Sequence, residues 1–194
     1  MRISGGKARG ISLVVPKGDA VRPATDGMRQ AVFSSLAARV PGARFLDLFA
    51  GSGGYGLEAF SRGASGGVFV EQSPKALACL RRNIEAVGRS MKTGVGPLQV
   101  SAGDAVRVPW SEAAPPDLVF IDPPYELIED VAPRLFARLE VVLAEHPDPV
   151  IVFEMPGAVT LSPSGWSVVK RLGKGAHQPT VVFFRRATLL PGGT

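Results

Sequence analysis

Four consecutive residues, Asp122-Pro123-Pro124-Tyr125, carry the most specific chemical signal in the 194-residue sequence. Two prolines fix the backbone and remove both N–H groups, so the local carbonyls have few internal donors. An exocyclic amine of a nucleobase presents two hydrogens, and the Asp122 carboxylate and the Pro123 carbonyl can accept one each. Held in this way, the nitrogen lone pair is directed at an electrophile. Tyr125 offers a flat face on which an extruded base can stack. Asp122, Pro123, Pro124 and Tyr125 are therefore the candidate catalytic residues. The bland alternative is a proline-rich turn with Tyr125 as packing.

A second pattern, Gly51-x-Gly53-x-x-Gly56, is followed twenty residues after Gly51 by Glu71. Where a strand enters such a loop and a helix leaves it, glycines admit a ligand close to the backbone. The later acid can then accept hydrogen bonds from ribose hydroxyls. Asp47 stands four residues before Gly51. A carboxylate at that depth would crowd a pyrophosphate but can pair with an amino-acid ammonium. Asp104 can accept from an adenine amine, although Gly103-Asp104 is also ordinary turn chemistry. An adenosine with an amino-acid tail and no phosphate suits all three acids, and S-adenosylmethionine is such a molecule. The candidate cofactor-binding set is Asp47, Phe49, Gly51, Ser52, Gly53, Glu71, Gln72, Asp104 and Ala105. An NAD-dependent dehydrogenase would use the glycines but leave Asp47 and the Pro-Pro turn without a purpose.

Both patterns need strands that end where they begin. Phe45–Phe49, Val68–Val70, Leu98–Val100, Asp117–Ile121 and Val150–Phe153 read as buried strands. Helical patterns alternate with them. One is capped by Thr25 or Asp26, carries Met28, Val32, Leu36 and Phe33, and is expected to end near Pro41-Gly42. A second runs from Leu57 to Arg62. A third opens at Ser73-Pro74, repeats Leu77, Leu80, Ile84 and Val87, and stops at Gly88. A fourth holds Ile128, Val131, Leu135, Leu139 and Val142. This alternation predicts a doubly wound α/β sheet, mostly parallel. Trp166–Val169 and Thr180–Phe184, joined by a basic Gly-rich loop, add an antiparallel edge hairpin and bring the strands to seven. Arg2–Ser4 and Ile11–Val15 flank Gly5-Gly-Lys-Ala-Arg-Gly10 as a short basic hairpin, and Pro16–Pro23 is a turn-rich link. The expected division is residues 1–24 as a basic extension and 25–194 as the catalytic domain.

Composition bounds the rest. The chain is 45% hydrophobic and 20% charged, ordinary for a globular domain. Its apolar runs fall short of the ~20 residues that span a bilayer, and its start has no signal-peptide block, so a cytoplasmic protein with no membrane partner is expected. Residues 1–44 carry a net charge of +6, residues 45–169 carry −6, and residues 170–194 carry +5. Basic ends on an acidic body suit a polyanion, although solvated termini are often basic too. The single Cys79 reads as a small core residue. His146 and His177 have no partner at motif spacing, and no metal site is expected.

The glycine loop and Asp-Pro-Pro-Tyr together resemble the class I S-adenosylmethionine-dependent methyltransferases that modify base amines. More narrowly, the chain is similar to the RsmD family of bacterial 16S rRNA guanine-N2 methyltransferases. The likeness lies in residues 1–10, Arg22–Arg29, Leu46–Gly53 with Gly56-Leu-Glu58-Ala and Ser61–Ala64, Val70-Glu71, and Asp122–Tyr125. Family members commonly have Thr just before Thr25 and a charged residue at Gly27. The resemblance implies a Rossmann-like fold, S-adenosylmethionine as cofactor, and catalysis at Asp122–Tyr125. It also implies 16S rRNA, in an assembled or assembling 30S subunit, as partner. Lys7, Arg9, Arg22, Thr25 and Arg29 then become the candidate RNA-binding residues, docking the sheet's carboxyl edge onto phosphates. Within the same chemistry, an N6-adenine or N4-cytosine methyltransferase remains an alternative, as does a non-catalytic RNA-binding assembly factor. Glu154, at the end of the fifth strand, is left without a role.

Overall fold

The computed structural model describes residues 1–16, 26–110, 114–173, 175–176 and 178–187. A seven-stranded sheet runs in the order β3-β2-β1-β4-β5-β7-β6. Its strands are β1 (Arg44–Leu48), β2 (Gly66–Glu71), β3 (Leu98–Ala102), β4 (Leu118–Ile121), β5 (Val150–Pro156), β6 (Trp166–Leu172) and β7 (Pro179–Arg186). The first five pair in parallel. β7 inserts antiparallel between β5 and β6, so β6 alone forms that edge. The chain builds outward from β1 in both directions. The gap between the carboxyl ends of β1 and β4 is therefore the switch point where open α/β sheets bind ligands.

Strand side chains alternate between two cores. Phe45, Phe69, Phe120 and Val152 face α1 (Asp26–Ser35), α2 (Gly54–Ser61) and α3 (Pro74–Met91), packing with Val32, Phe33, Leu57, Leu80 and Ile84. Leu46, Leu48, Ile121 and Phe153 face α4 (Ile128–Val142) through Val131, Leu135 and Leu139. Burial of each such side chain contributes about 1.5–3 kcal/mol. Ile3, Ala8 and Leu13 join the first core, and Cys79 lies buried in α3.

Several boundaries differ from the sequence expectation, β2, β5 and β6 running longer and α2 starting earlier. α1 ends at Ser35 rather than near Pro41; the Ser35 hydroxyl bonds back to the Ala31 carbonyl at 2.9 Å, and a turn follows. α3 runs through Gly88 to Met91 and ends on Lys92 in left-handed geometry (φ 52°). Gly88 is small because Val95 packs against its α-carbon, not because the helix stops there. The amino-terminal hairpin is present but short, an antiparallel Arg2–Ser12 bridge flanked by backbone bonds from Ile3 to Ile11, Gly10 to Ile3 and Leu13 to Met1. Among the described residues no helix is long and apolar enough to cross a membrane. His146 does find an acid, Asp117 at 3.0 Å, but just before β4, at the opposite end of the sheet from the switch point.

Candidate functional site

The parallel register carries one acid to the carboxyl end of each of five strands. In spatial order these are Asp104, Glu71, Asp47, Asp122 and Glu154. Asp47 pairs with Phe120, and Ile121 with Phe153, so Asp122 and Glu154 emerge side by side just beyond the last pair. Asp47 and Glu154 are each only 2% exposed. Glu154 accepts a hydrogen bond from the Tyr55 hydroxyl at 2.8 Å.

The three glycines have three separate causes. Gly51 (φ +55°) sits in left-handed geometry with open space where a Cβ would project. Gly53 (φ +88°) would press a Cβ to 2.6 Å from Leu80. Gly56 lies directly against Phe69 and Phe45, which lets α2 approach the sheet closely. The preceding Phe49 also holds a positive φ of 60°, an uncommon strain for a side-chain-bearing residue. Acids hold this loop: the Gly51 N–H donates to Glu71 at 2.8 Å, and the Gly56 N–H to Asp47 at 2.8 Å. Ser73 N–H donates to the other Glu71 oxygen at 2.7 Å. Only Gly51 faces outward; it is the point of the loop open to a ligand.

Burial raises the Asp47 pKa to about 8, with Glu71 adding to the rise and the Gly56 N–H opposing it. Burial likewise pushes Asp122 well up, reinforced by Glu154 and Asp47. Glu154 is raised by burial against the pull of Tyr55 and Arg29. Such an edge favours cationic ligands and N–H donors, which stabilise the ionised form of its carboxyls. The same shifts fix a pH dependence. Between about 4, the unfolded value, and 8, folded Asp47 keeps a proton that the unfolded chain has lost. Stability therefore falls as pH rises through that window, by up to about 1.4 kcal/mol per pH unit for one full proton. The ligand-free melting temperature should drop by about 3 °C per unit between pH 6 and 8. A flat or rising profile in calorimetric scans would show that Asp47 is ionised throughout.

Asp104 behaves first as a turn residue, since its carboxylate accepts the Val106 N–H at 2.8 Å and meets Arg107 at 3.3 Å. Ala105 is buried beside it, and Gln72 is exposed after β2. Ser52 is buried, and Pro124 and Tyr125 project from the carboxyl end of β4 into a short 3-10 turn, Tyr125–Leu127, that leads to α4. Pro123 is buried beneath them.

The family model described as Conserved hypothetical protein 95 matches residues 1–183. Ribosomal RNA small subunit methyltransferase D of Escherichia coli (strain K12) is 32% identical over 170 residues, covering 87% of this chain and 82% of its own. The chain belongs to the RsmD family. The solved structure of yhhF from Escherichia coli superposes on it with a TM-score of 0.77 at 27% identity, covering 96% and 97% of the two chains. SMU.776, complexed with SAH, shares the fold alone, with a TM-score of 0.60 at 14% identity over 81% of this chain and 49% of its own.

In this RsmD family chain the structure corrects the expected RNA contacts. Arg29 is 1% exposed and points inward, donating to Glu58, to Asp26 and to the Arg2 carbonyl. A side chain spent on those partners is a structural anchor and does not reach phosphate. Lys7 and Arg9 are exposed, but not at the carboxyl edge. Their turn is pinned to the far end of α2, where the Lys7 N–H donates to the Ser61 carbonyl at 2.8 Å. An eight-residue helix separates that turn from Gly54, about 12 Å. Arg22, Thr25 and His177 lie outside the described residues.

Sequence reading missed Asn83. Its side chain donates to the Ser52 and Val14 carbonyls, 2.9 Å each, and accepts the Val14 N–H at 2.8 Å, tying the glycine loop to the amino-terminal segment. An amide on the apolar face between Leu80 and Ile84 was the available signal.

Proposed function

We infer that this protein transfers a methyl group from S-adenosylmethionine to the exocyclic N2 amine of a guanine in 16S rRNA. The observation that carries the reading is the meeting, at the β1/β4 switch point, of an acid-backed glycine loop with Asp122-Pro-Pro-Tyr125. Membership of the RsmD family supplies the RNA.

The residues fit the cofactor. Gly51 leaves open space on its ligand side, and Asp47, Glu71 and Asp104 stand in strand order to meet an ammonium, a ribose and an adenine amine. Phe49, Ser52 and Gly53 shape the cradle, with Gln72 and Ala105 flanking the adenosine end. When bound, S-adenosylmethionine supplies an electrophilic methyl carbon. The chain's own work is to present the nucleophile. Asp122 and the Pro123 carbonyl each hold one hydrogen of the amine, Pro124 keeps the turn rigid, and Tyr125 stacks the ring. The donated N–H favours the ionised Asp122 carboxyl. Its raised proton affinity then suits it to take the proton that the amine sheds once the carbon–nitrogen bond has formed.

The substrate is ribosomal RNA within a cytoplasmic small subunit or its precursor. A small enzyme with cations at both the amino-terminal turn and the tail can grip such a particle away from the target base. Incubating the purified protein and tritiated S-adenosylmethionine with 30S subunits from a strain lacking the activity should label 16S rRNA. Unlabelled RNA at saturating cofactor would remove the reading. Replacing Lys7 and Arg9 together with Gln should flatten the salt dependence of RNA binding by up to about 0.9 per lost phosphate contact, leaving cofactor affinity alone. An unchanged slope would make both plain solvated cations.

A further inference from the structure

We propose that Arg138 is a positioning residue for the adenosine end of the cofactor site, acting from α4 on the turn that follows β3. The proposal rests on the reading that Asp104 and Ala105 meet the adenine.

The turn closes on itself through short-range bonds. The Asp104 carbonyl accepts from the Arg107 and Val108 N–H groups, 2.9 Å each, and its carboxylate takes Val106. Those bonds set the shape of the turn but do not hold it against the rest of the domain. Arg138 does. One guanidinium nitrogen donates to the Ala105 carbonyl at 3.1 Å and the other to the Val108 carbonyl at 2.9 Å. The same plane lies 4.0 Å over the ring of buried Trp110, whose indole N–H also donates to Ala105, at 3.1 Å. Burial works against the charged guanidinium, and the nearby Asp104 favours it.

A planar fork suits this task, since it reaches two carbonyls and stacks on an indole at once. α4 is also the helix entered from Tyr125. Arg138 thus ties the adenine turn at one side of the sheet to the element that carries the acceptor-base platform. Its side chain touches neither reacting atom. Its effect on catalysis must pass through cofactor affinity.

Calorimetric titration of S-adenosylhomocysteine into the full chain tests this, with Arg138→Met, Asp104→Ala and the double variant. Arg138→Met should weaken binding about tenfold, equivalent to 1.4 kcal/mol, while turnover at saturating S-adenosylmethionine falls much less. The double variant should bind no more weakly than Asp104→Ala alone, because Arg138 acts through that turn. Arg138→Lys, with a point charge that serves one carbonyl, should recover part of the loss and covers the case in which the Met variant folds poorly. Weakening by Asp104→Ala with none from Arg138→Met or Arg138→Lys would overturn the proposal and leave the Asp104 reading standing. Additive losses would also overturn it, by placing the action of Arg138 elsewhere. If neither position affects binding, the adenine does not sit at this turn, and both statements fall.

Discussion

Asp122→Ala should slow single-turnover methyl transfer on saturating 30S substrate by roughly 10²–10³, the loss typical of removing one preorganised electrostatic partner. The guanine N2 lone pair is delocalised into the ring, so the amine is a poor nucleophile until its hydrogens are held. Asp122 stands at the mouth of the β1/β4 switch point, and in the proposed reading it holds one of them. In the same reading its carboxylate also stabilises the positive charge that grows on nitrogen, an interaction available mainly in the transition state. Cofactor affinity should change little, since the proposed partner of Asp122 is the acceptor amine. Asp122→Asn keeps an acceptor oxygen without the charge and should fall between alanine and wild type. Tyr125→Ala should act on the other quantity, weakening productive RNA binding by about 1–3 kcal/mol of lost stacking, with Tyr125→Phe nearly silent. Transfer by Asp122→Ala at the wild-type rate would remove the amine-holding role.

Glu58→Ala should destabilise the fold strongly, by about 3–5 kcal/mol. Glu58 is 0% exposed, yet its two oxygens receive four donors. Ser4 gives its N–H and its hydroxyl at 2.8 Å each, Arg62 gives Nε at 2.7 Å, and Arg29 gives Nε at 3.4 Å. Among the described residues, alanine would leave the buried Arg29 guanidinium with only Asp26 and the Arg2 carbonyl. At 2–4 °C per kcal/mol for a chain of this size, the melting temperature should fall by about 10 °C. A loss below about 1 kcal/mol in denaturant titrations would mean that the Ser4, Arg29 and Arg62 donors find other partners once the carboxylate is gone.

These two sites differ in how far the linear sequence revealed them. Asp122 was legible because a proline pair and a strand end are local features, and the glycine loop was legible because positive φ at Gly51 and Gly53 demands glycine. Arg29 was misread for the opposite reason. A basic residue in a basic segment looks solvated until α1 is laid over α2 and closes Glu58 beneath it. Glu154 had no assignable role because only the β4/β5 register sets it beside Asp122. Arg138 and Asn83 carried no motif at all. Their importance comes from carbonyls more than 25 residues away, contacts that no local periodicity encodes. Helix ends were missed where side-chain packing overrode the usual stop signals, as at Gly88.

The identity of the methylated nucleoside tests the central claim most directly. The labelled 16S rRNA should be digested to nucleosides and the tritium resolved by chromatography against authentic methylated standards. All of the label should migrate as N2-methylguanosine, at a stoichiometry of one methyl per particle. Label in N6-methyladenosine or N4-methylcytosine would contradict the guanine assignment while keeping the amine chemistry. Label on a ring carbon or a ribose oxygen would contradict the account of Asp122-Pro-Pro-Tyr125 as an amine-holding site.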